Sequence, residues 1–307
     1  MMGATGTRGG PADVAFVKMH AAGNAFVLVD ALDGLELDWP RLAIDTADPH
    51  FAVGHDGLLV VMPGEAAEYR QRMFNPDGTE DMCGNGLRCV AKYLHDAGRI
   101  VSTVVLETIG GPRTVEWLRV SGPTAHLRAG LGTPAVRDAA LRLGDLPRSA
   151  AAAVPTRHTK AIERALAAAL YVSLGTPHIV LHAHSELPEA TWEALSAALE
   201  QHALGDERTS VTWFRRTGRE RLAARFWERG VSGETLACGT GAGATMVAAR
   251  RAGLVGDEAA IVTKGGELRA SWNGRGEVHV AGPATTVFRG EWPLHGPGQP
   301  GSTTAHG

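Results

Sequence analysis

Two short stretches, Cys83-Gly84-Asn85-Gly86 and Cys238-Gly239-Thr240-Gly241, repeat one pattern in which a cysteine is followed by a glycine-rich turn. The two cysteines lie 155 residues apart, and each turn continues into an Ala-rich apolar segment. Each segment ends in an Ala-Gly pair whose glycine stands 15 residues after its cysteine. A glycine just past an apolar segment is typical of a helix C-terminus, so we predict a helix that starts at each cysteine turn.

The similarity between the two halves extends upstream of the cysteines. The stretch Gly23-Asn24-Ala25-Phe26-Val27-Leu28-Val29 resembles Gly175-Thr176-Pro177-His178-Ile179-Val180-Leu181. The leading glycines stand 60 and 63 residues before their cysteines. Each half therefore follows the order of glycine turn, strand, more strands, cysteine turn and helix. This repeat predicts two similarly folded domains with a cleft between them.

Short apolar or alternating segments bounded by Gly, Pro or Asp are typical of strands. Five such segments are Ala25–Asp30, Leu58–Met62, Tyr69–Phe74, Thr103–Glu107 and Ala223–Trp227. Helical periodicity is scarcer. The two cysteine helices should run to about His95 and Arg251. Trp192, Leu195 and Leu199 indicate one further amphipathic helix after Pro188.

We expect the N-terminal domain to span 14–140 and the C-terminal domain 141–294, with the boundary near 130–150. Strands at Val278–Ala281 and Thr286–Phe288 are expected to return to the first domain. The Gly-rich ends, 1–13 and 295–307, are interpreted as disordered tails.

The composition excludes several classes of protein. The chain has 307 residues, 44% of them hydrophobic and 21% charged, with a net charge of -3. Such a balance favours neither a nucleic-acid partner nor a membrane surface. Three cysteines are too few for a disulfide scaffold, and neither their spacing nor that of the histidines is typical of a zinc site. We expect a cytoplasmic protein that binds a small molecule and uses no metal or other cofactor.

The cysteine turns themselves suggest chemistry. A thiol at the start of a helix lies where unpaired backbone N–H groups and the helix dipole favour negative charge, which predicts a stabilised thiolate. The same N–H groups can bind a carboxylate, and glycines allow its close approach. Two such turns facing each other would place one sulfur on each face of an α-carbon. One thiolate could then remove the α-proton while the other thiol returns a proton to the opposite face.

Other interpretations of the cysteines are weaker. Cys83 and Cys238 could be small buried core residues, as we expect for Cys89, but their place in duplicated glycine turns argues against this. A structural disulfide between them is disfavoured in a reducing compartment, although a reversible one could form if the sulfurs lie close together. The Gly239–Ala244 segment lacks the spacing of a dinucleotide-binding turn.

The motifs resemble the diaminopimelate epimerase family of cofactor-independent amino-acid racemases and epimerases over roughly residues 14–290. The resemblance is carried by Lys18–Phe26, Phe74–Cys89, Gly175–His178 and Glu228–Gly241. It implies an α/β fold of two pseudo-symmetric domains, each a barrel-like sheet around a central helix, with the active site in the cleft between them. The resemblance permits a homodimer without requiring one.

The resemblance also implies roles for individual residues. Cys83 and Cys238 would be the acid/base pair, assisted by His178 and Glu228. From the residues alone, His178 at the head of a strand and Glu228 at the end of one could equally be structural. The substrate's α-carboxylate and amine region would be bound by Gly84, Asn85, Gly239 and Thr240, and its distal end by Asn24, Asn75 and Arg229.

Three positions depart from the pattern of the family. The family usually has Gln in place of Gly57 and Asn in place of Thr176 and Ser210, all at the distal end of the substrate. One extra residue also lies in Gly230–Gly233, directly after Arg229. Losing hydrogen-bond partners at a buried polar group weakens its recognition by about 1–3 kcal/mol each.

We therefore expect a two-cysteine epimerase or racemase for a polar amino acid other than diaminopimelate, such as a ureido- or hydroxy-bearing one. Diaminopimelate epimerase itself, serving lysine and peptidoglycan synthesis, is the alternative. An isomerase of related fold that moves a double bond with a carboxylate fits poorly, since both cysteines are present. A non-enzymatic amino-acid-binding protein would not need two thiols.

Overall fold

The helices that begin at the two cysteines stand at the centre of the fold, in a computed structural model that describes residues 13–202 and 208–294. The helices are α1 (Trp39–Ala47), α2 (Gly84–Asp96), α3 (Arg148–Ala152), α4 (Thr156–Ala167), α5 (Glu189–Gln201) and α6 (Gly239–Arg251). The strands of the first half are β1 (Asp13–Ala21), β2 (Asn24–Asp30), β3 (Gly57–Pro63), β4 (Tyr69–Phe74), β5 (Thr103–Glu107), β6 (Arg113–Ser121) and β7 (Thr124–Gly130). The remaining strands are β8 (Ala135–Asp138), β9 (Leu170–Ser173), β10 (Pro177–His182), β11 (Ser210–Gly218), β12 (Arg221–Glu228), β13 (Gly233–Thr235), β14 (Glu258–Thr263), β15 (Gly266–Ser271) and β16 (His279–Pro293).

The first half forms a closed ring of strands. Its strands follow the order β1-β2-β3-β4-β5-β6-β7-β16, and β16 pairs back onto β1 to close the ring. Helix α2 passes through this ring and buries Leu87, Val90 and Leu94 in the largest hydrophobic core. Closing the sheet leaves β1 and β7 without a free edge, because the last strand of the chain pairs with both.

The second half places a similar sheet around α6, but among the described strands this sheet ends at β8 and is not closed into a ring. From β16 the sheet continues through β15, β14, β12, β11, β10, β9 and β8, with β13 paired to β12. In each half a parallel pair follows the glycine turn, β2 with β3 and β10 with β11, and an antiparallel hairpin comes next. Helix α6 is buried over nearly its whole length, with Ala, Thr and Gly on the faces that the sheet covers.

These findings confirm the predicted fold class: two pseudo-symmetric α/β domains, each a barrel-like sheet around a central helix. All five predicted strands are present, and the three predicted helices are α2, α5 and α6. The division at residue 140 remains a prediction. The predicted tails lie outside the described residues, except that Asp13 already belongs to β1.

The C-terminal strands differ from the expectation in one respect. The pair Gly282-Pro283 indicated a break between two strands, but β16 is one continuous strand of 15 residues. Its first part pairs with β15 and β7, and its second part pairs with β1. The crossing to the first domain is therefore made by a single strand that both sheets share.

Three further helices, α1, α3 and α4, were not predicted from the sequence. Helix α1 has a recognisable start, since the Asp38 side chain accepts from the Arg41 amide at 3.0 Å and Pro40 occupies the first turn. Within the described residues, no helix is long and apolar enough to cross a membrane.

Candidate active site

The two cysteines cap the N-termini of the two central helices. Cys83 is the N-cap of α2, and its Sγ accepts from the Gly86 amide at 3.3 Å. Cys238 is the N-cap of α6, and its Sγ accepts from the Gly241 amide at 3.4 Å. Both cysteines have extended backbone angles, as a cap residue requires. The repeated sequence pattern thus gives two copies of one local structure.

The helix N-termini meet directly across the interface between the domains. A Cβ on Gly239 would lie 3.0 Å from the backbone nitrogen of Asn85 and 3.1 Å from the carbonyl carbon of Gly84. A Cβ on Gly84 would lie 2.9 Å from a side-chain carbon of Leu131. A Cβ on Gly239 would thus press on the backbone of the facing helix, whereas a Cβ on Gly84 would press on the Leu131 side chain, so each position favours glycine. The positive ends of two helices are therefore directed at one small volume.

A single cleft brings together most of the residues that sequence reasoning selected. Of the predicted site residues, twelve line it: Asn24, Asn75, Cys83, Gly84, Asn85, Thr176, Ser210, Glu228, Arg229, Cys238, Gly239 and Thr240. These residues come from both domains, so the cleft is completed only when the two halves pack together.

Gly57, which was expected to face the distal end of a substrate, is not among the described residues that line the cleft. A Cβ at this position would meet Met73 Sδ at 3.1 Å and the ring of Phe26 at 3.3 Å. Met73 and Phe26 themselves line the cleft and separate Gly57 from it. The neighbouring Asp56 reaches the cleft instead.

The structure does not support the expectation of a ready thiolate. Burial raises the pKa of Cys83 to about 12, because desolvation outweighs the hydrogen bonds from the amides of Gly86 and Asn85. Burial, and then the neighbouring Glu228, raise the pKa of Cys238 well above its ordinary value. Both thiols are therefore protonated at neutral pH, and a base beside them has to take the proton.

Glu228 is placed to be that base for Cys238. It ends β12, accepts a hydrogen bond from Thr235 Oγ1, and lines the cleft together with Cys238, whose thiol its charge influences. Burial raises the pKa of Glu228 to about 7, and the nearby carboxylates Asp56 and Asp81 act in the same direction. A carboxyl group that titrates near neutral pH can both accept and return a proton.

His178 lies one layer behind the cleft. It is fully buried on β10, and its ring bridges two hydroxyls, with Nε2 2.9 Å from Thr240 Oγ1 and Nδ1 3.1 Å from Thr212 Oγ1. Thr240 Oγ1 in turn lies 3.4 Å from Cys238 Sγ. Burial lowers the pKa of His178 to about 3, so the imidazole is neutral and reaches the thiol through Thr240.

The side chain of Asn85 joins the two cysteine turns. Its Nδ2 donates to Ala237 O at 2.9 Å and to Asn24 Oδ1 at 3.1 Å, while its Oδ1 accepts from the guanidinium of Arg88 at 2.6 Å. Arg88 is itself fully buried in α2. Both amide hydrogens of Asn85 are thus donated to the protein, and the backbone of the turn is what Asn85 offers to a ligand.

Several cleft residues were missed by sequence reasoning, notably Asp56, Asp81 and Thr235. Asp56 stands at the entrance to β3, where its Oδ2 accepts from Asn24 Nδ2 at 2.9 Å. Asp81 stands two residues before Cys83, so its proximity in sequence was an available signal. Thr235 closes the short strand β13, which no sequence pattern indicated.

All three cysteines are free thiols, and Cys89 is fully buried within α2 as expected. Across residues 13–202 and 208–294, no group of three or more His, Cys, Asp or Glu side chains is arranged to hold a metal ion.

Solved structures with this architecture show the fold at low sequence identity. A hydroxyproline epimerase from Agrobacterium vitis, solved with trans-4-hydroxy-L-proline bound, superposes with a TM-score of 0.68 at 13% identity over 93% of this chain and 94% of its own. A phenazine biosynthesis protein of the PhzF family from Bacillus anthracis superposes with a TM-score of 0.67 at 16% identity over 92% of this chain and 99% of its own.

Sequence relatives are much closer. A diaminopimelate epimerase of Pelotomaculum thermopropionicum is 36% identical over 91% of this chain and 98% of its own length. A diaminopimelate epimerase of Methanococcus maripaludis is 33% identical over 90% of this chain and 98% of its own length. The family profile described as diaminopimelate epimerase matches residues 16–134 and 170–287, one segment in each half. The protein is thus an isomerase of the epimerase and racemase type, and the chain belongs to the diaminopimelate epimerase family.

Proposed function

We propose that the protein inverts the α-carbon of diaminopimelate by proton transfer between two thiols. The observation that carries the proposal is the meeting of two cysteine-capped helix N-termini in one cleft, with a sulfur from each domain. The converging amides would bind the α-carboxylate and stabilise the negative charge that develops when the α-proton leaves.

The proton transfer can be followed proton by proton. Glu228 takes the proton of Cys238, whose thiolate removes the α-proton from one face, while the Cys83 thiol donates its proton to the other face. This step leaves Glu228 protonated and Cys83 as a thiolate, which is the state from which the reverse direction starts with Cys83 as the base. Once the product has left, Glu228 releases its proton to solvent and Cys83 takes one up, which restores the starting state. A substrate that fills the cleft between the two domains displaces the water that would otherwise protonate the carbanion.

The polar lining of the cleft supports a substrate with a charged distal group. Asn75, Thr176, Ser210 and Arg229 are among the residues that line it. The relatives named as diaminopimelate epimerases favour this substrate over the other polar amino acid that sequence analysis preferred.

A polar amino acid other than diaminopimelate remains the second candidate, because of the small side chains at Thr176 and Ser210. Thr176 Oγ1 donates to Met82 O at 3.0 Å, whereas Ser210 Oγ accepts from the Arg229 amide at 3.3 Å and keeps its own hydrogen. A single hydroxyl hydrogen at Ser210 and none at Thr176 leave fewer donors for a distal carboxylate than two side-chain amides would provide.

The test is α-proton exchange in D₂O followed by NMR, without added cofactor, for wild type and for Cys83→Ala and Cys238→Ala. We expect deuterium to enter LL-diaminopimelate with formation of the meso isomer. Each cysteine variant should lose about 10³-fold or more in rate, since each removes one of the two acid/base groups.

Cys89→Ala is the matched control, because Cys89 is a buried thiol of the same helix that does not line the cleft. Its exchange rate should stay within a few-fold of wild type. Near-normal turnover in either Cys83→Ala or Cys238→Ala would refute the two-thiol mechanism. Exchange with another polar amino acid, and none with diaminopimelate, would establish the second candidate.

A further inference from the structure

One ion pair crosses the cleft between the two domains. Asp81 belongs to the segment that leads into Cys83, and Arg229 directly follows β12 in the other half of the chain. Asp81 Oδ2 accepts from Arg229 Nη2 at 2.7 Å and from Nε at 3.2 Å. Both residues line the cleft, and their side chains are 12% and 23% exposed. The pair is therefore within reach of a ligand in the cleft and largely shielded from bulk water.

Asp81 is held in place on its other side. Its Oδ1 accepts from the Met82 amide at 2.8 Å and lies 3.3 Å from Thr176 Oγ1. Arg229 has a second anchor, since Nη1 donates to the carbonyl of Arg208 at 3.3 Å. The cleft thus presents a fixed carboxylate beside a fixed guanidinium, one from each domain.

The charges of the cleft favour a particular class of distal group. Among residues 13–202 and 208–294, the charged side chains that line the cleft are the cation Arg229 and the acids Asp56, Asp81 and Glu228. A distal carboxylate alone would have to take Arg229 from Asp81 and leave that carboxylate without its partner, which is costly in a partly buried site. A distal group that carries both signs of charge avoids this cost, because it supplies a partner to each residue.

We propose that Asp81 is a specificity-determining residue that binds the distal ammonium group of the substrate while Arg229 binds the distal carboxylate. The proposal rests on the proposed function, and it adds Asp81 to the residues that recognise the distal amino-acid group of the substrate. On binding, the ion pair within the protein is exchanged for two ion pairs with the ligand. Selection against other substrates follows from the charge that each would leave unpaired.

Two analogues of diaminopimelate separate the two halves of this recognition. L-2-Aminopimelate retains the distal carboxylate and lacks the ammonium, whereas L-lysine retains the ammonium and lacks the carboxylate. The measurement is kcat/KM for α-proton exchange in D₂O with LL-diaminopimelate and both analogues, for wild type and Asp81→Asn. We expect the ratio of diaminopimelate to 2-aminopimelate to fall about 100-fold in Asp81→Asn, since the variant loses the ammonium partner and releases Arg229 for a carboxylate.

Glu80→Gln is the matched control. Glu80 is the adjacent carboxylate, it is paired with Arg72 at 2.7 Å, and it does not line the cleft. This variant should leave the ratio unchanged. Asp81→Ser, whose hydroxyl can still accept from the Met82 amide, is a second variant with the same expected fall in the ratio.

A structural effect of Asp81 on the nearby Cys83 would lower the rates for all three substrates equally and leave their ratio as in wild type. If wild type exchanges diaminopimelate and both Asp81 variants keep the wild-type substrate ratio, the assignment of Asp81 is wrong and the proposed function still stands. Wild type that exchanges no diaminopimelate would overturn the proposed function together with this assignment.

Discussion

The protonation of Glu228 in the cleft should change the free energy of unfolding of the whole protein. Burial raises the pKa of Glu228 to about 7, above the 4.5 of a solvated glutamate. Between these two values the folded protein keeps a proton that the unfolded chain has already lost. The contribution of Glu228 to the free energy of unfolding is therefore largest below about pH 4.5, and it falls as the pH rises towards 7.

We predict that Glu228→Gln is more stable than wild type at pH 8 and about equally stable at pH 4.5. The gain at pH 8 should be about 2 kcal/mol, allowing for the water that reaches the carboxyl group through the cleft. Urea unfolding at the two pH values measures it. Glu36→Gln, at an exposed carboxylate, is the control and should show no such dependence. A gain in Glu228→Gln that is the same at both pH values would contradict the raised pKa.

At the residue scale, the repeated motif indicated both cysteines, and the resemblance to the family indicated Glu228 and most of the other residues that line the cleft. It did not predict the protonation of the thiols, because the helix N-terminus favours a thiolate while burial opposes it, and only the structure shows that burial dominates. Asp56 and Asp81 were missed for a related reason. Each is a common loop residue whose direction depends on how the two domains pack.

At the scale of elements, the contact between α2 and α6 is the feature that the sequence specifies through its glycines. The two helices approach end to end at Gly84 and Gly239, and the remaining length of each is enclosed by its own sheet. Helical propensity alone would favour alanine over glycine by about 1 kcal/mol at such positions. The close approach of the two backbones explains why glycine is present instead.

We predict that Gly239→Ala destabilises the protein by about 1–3 kcal/mol, because its Cβ would lie 3.0 Å from the Asn85 nitrogen and force the helix ends apart. Exchange activity should fall as well, since both sulfurs and the amides would move. Thermal unfolding and exchange kinetics measure the two effects. Gly256→Ala is the control, because a Cβ there meets nothing within 4 Å. Equal stability of the two variants would show that the helix ends can separate without cost.

The elements that sequence reasoning missed share a physical cause. Helices α1 and α4 lie against the outside of the sheets. Their sequences combine a short amphipathic pattern, which indicates a helix, with Pro, Asp and Thr residues, which also indicate loops. The strands flanking the cysteine helices were easier to predict because they are buried and bounded by glycine or aspartate. Periodicity is clearest where one face of an element is covered.

For the whole molecule, β16 is the element that joins the two domains into one structure. It pairs with β15 in the second half and with β7 and β1 in the first half, and it closes the first ring. These pairings connect residues far apart in sequence, such as Val14 with Trp292. The first half of the chain therefore cannot complete its own sheet without the last strand.

We predict that a chain ending at Val278 fails to fold cooperatively, because β1, β7 and β15 would each lose a strand partner. Circular dichroism during heating and size-exclusion chromatography measure this, with a chain ending at Leu294 as the control that retains β16. A cooperative transition in the shorter chain, at the temperature of the control, would show that the halves fold without the shared strand.

The unequal surroundings of the two thiols have a consequence for kinetics. Cys238 is 4% exposed and close to Thr240 Oγ1 and the charge of Glu228, whereas Cys83 is only partly buried, so the two directions of the reaction start from bases in different environments. Detailed balance nevertheless fixes the ratio of kcat/KM in the two directions at the equilibrium constant between the two stereoisomers. The pH profiles of kcat/KM for the forward and reverse reactions must therefore be parallel wherever that constant does not change with pH. The asymmetry of the site can be seen only in kcat and KM taken separately, where the two bound complexes are free to titrate differently.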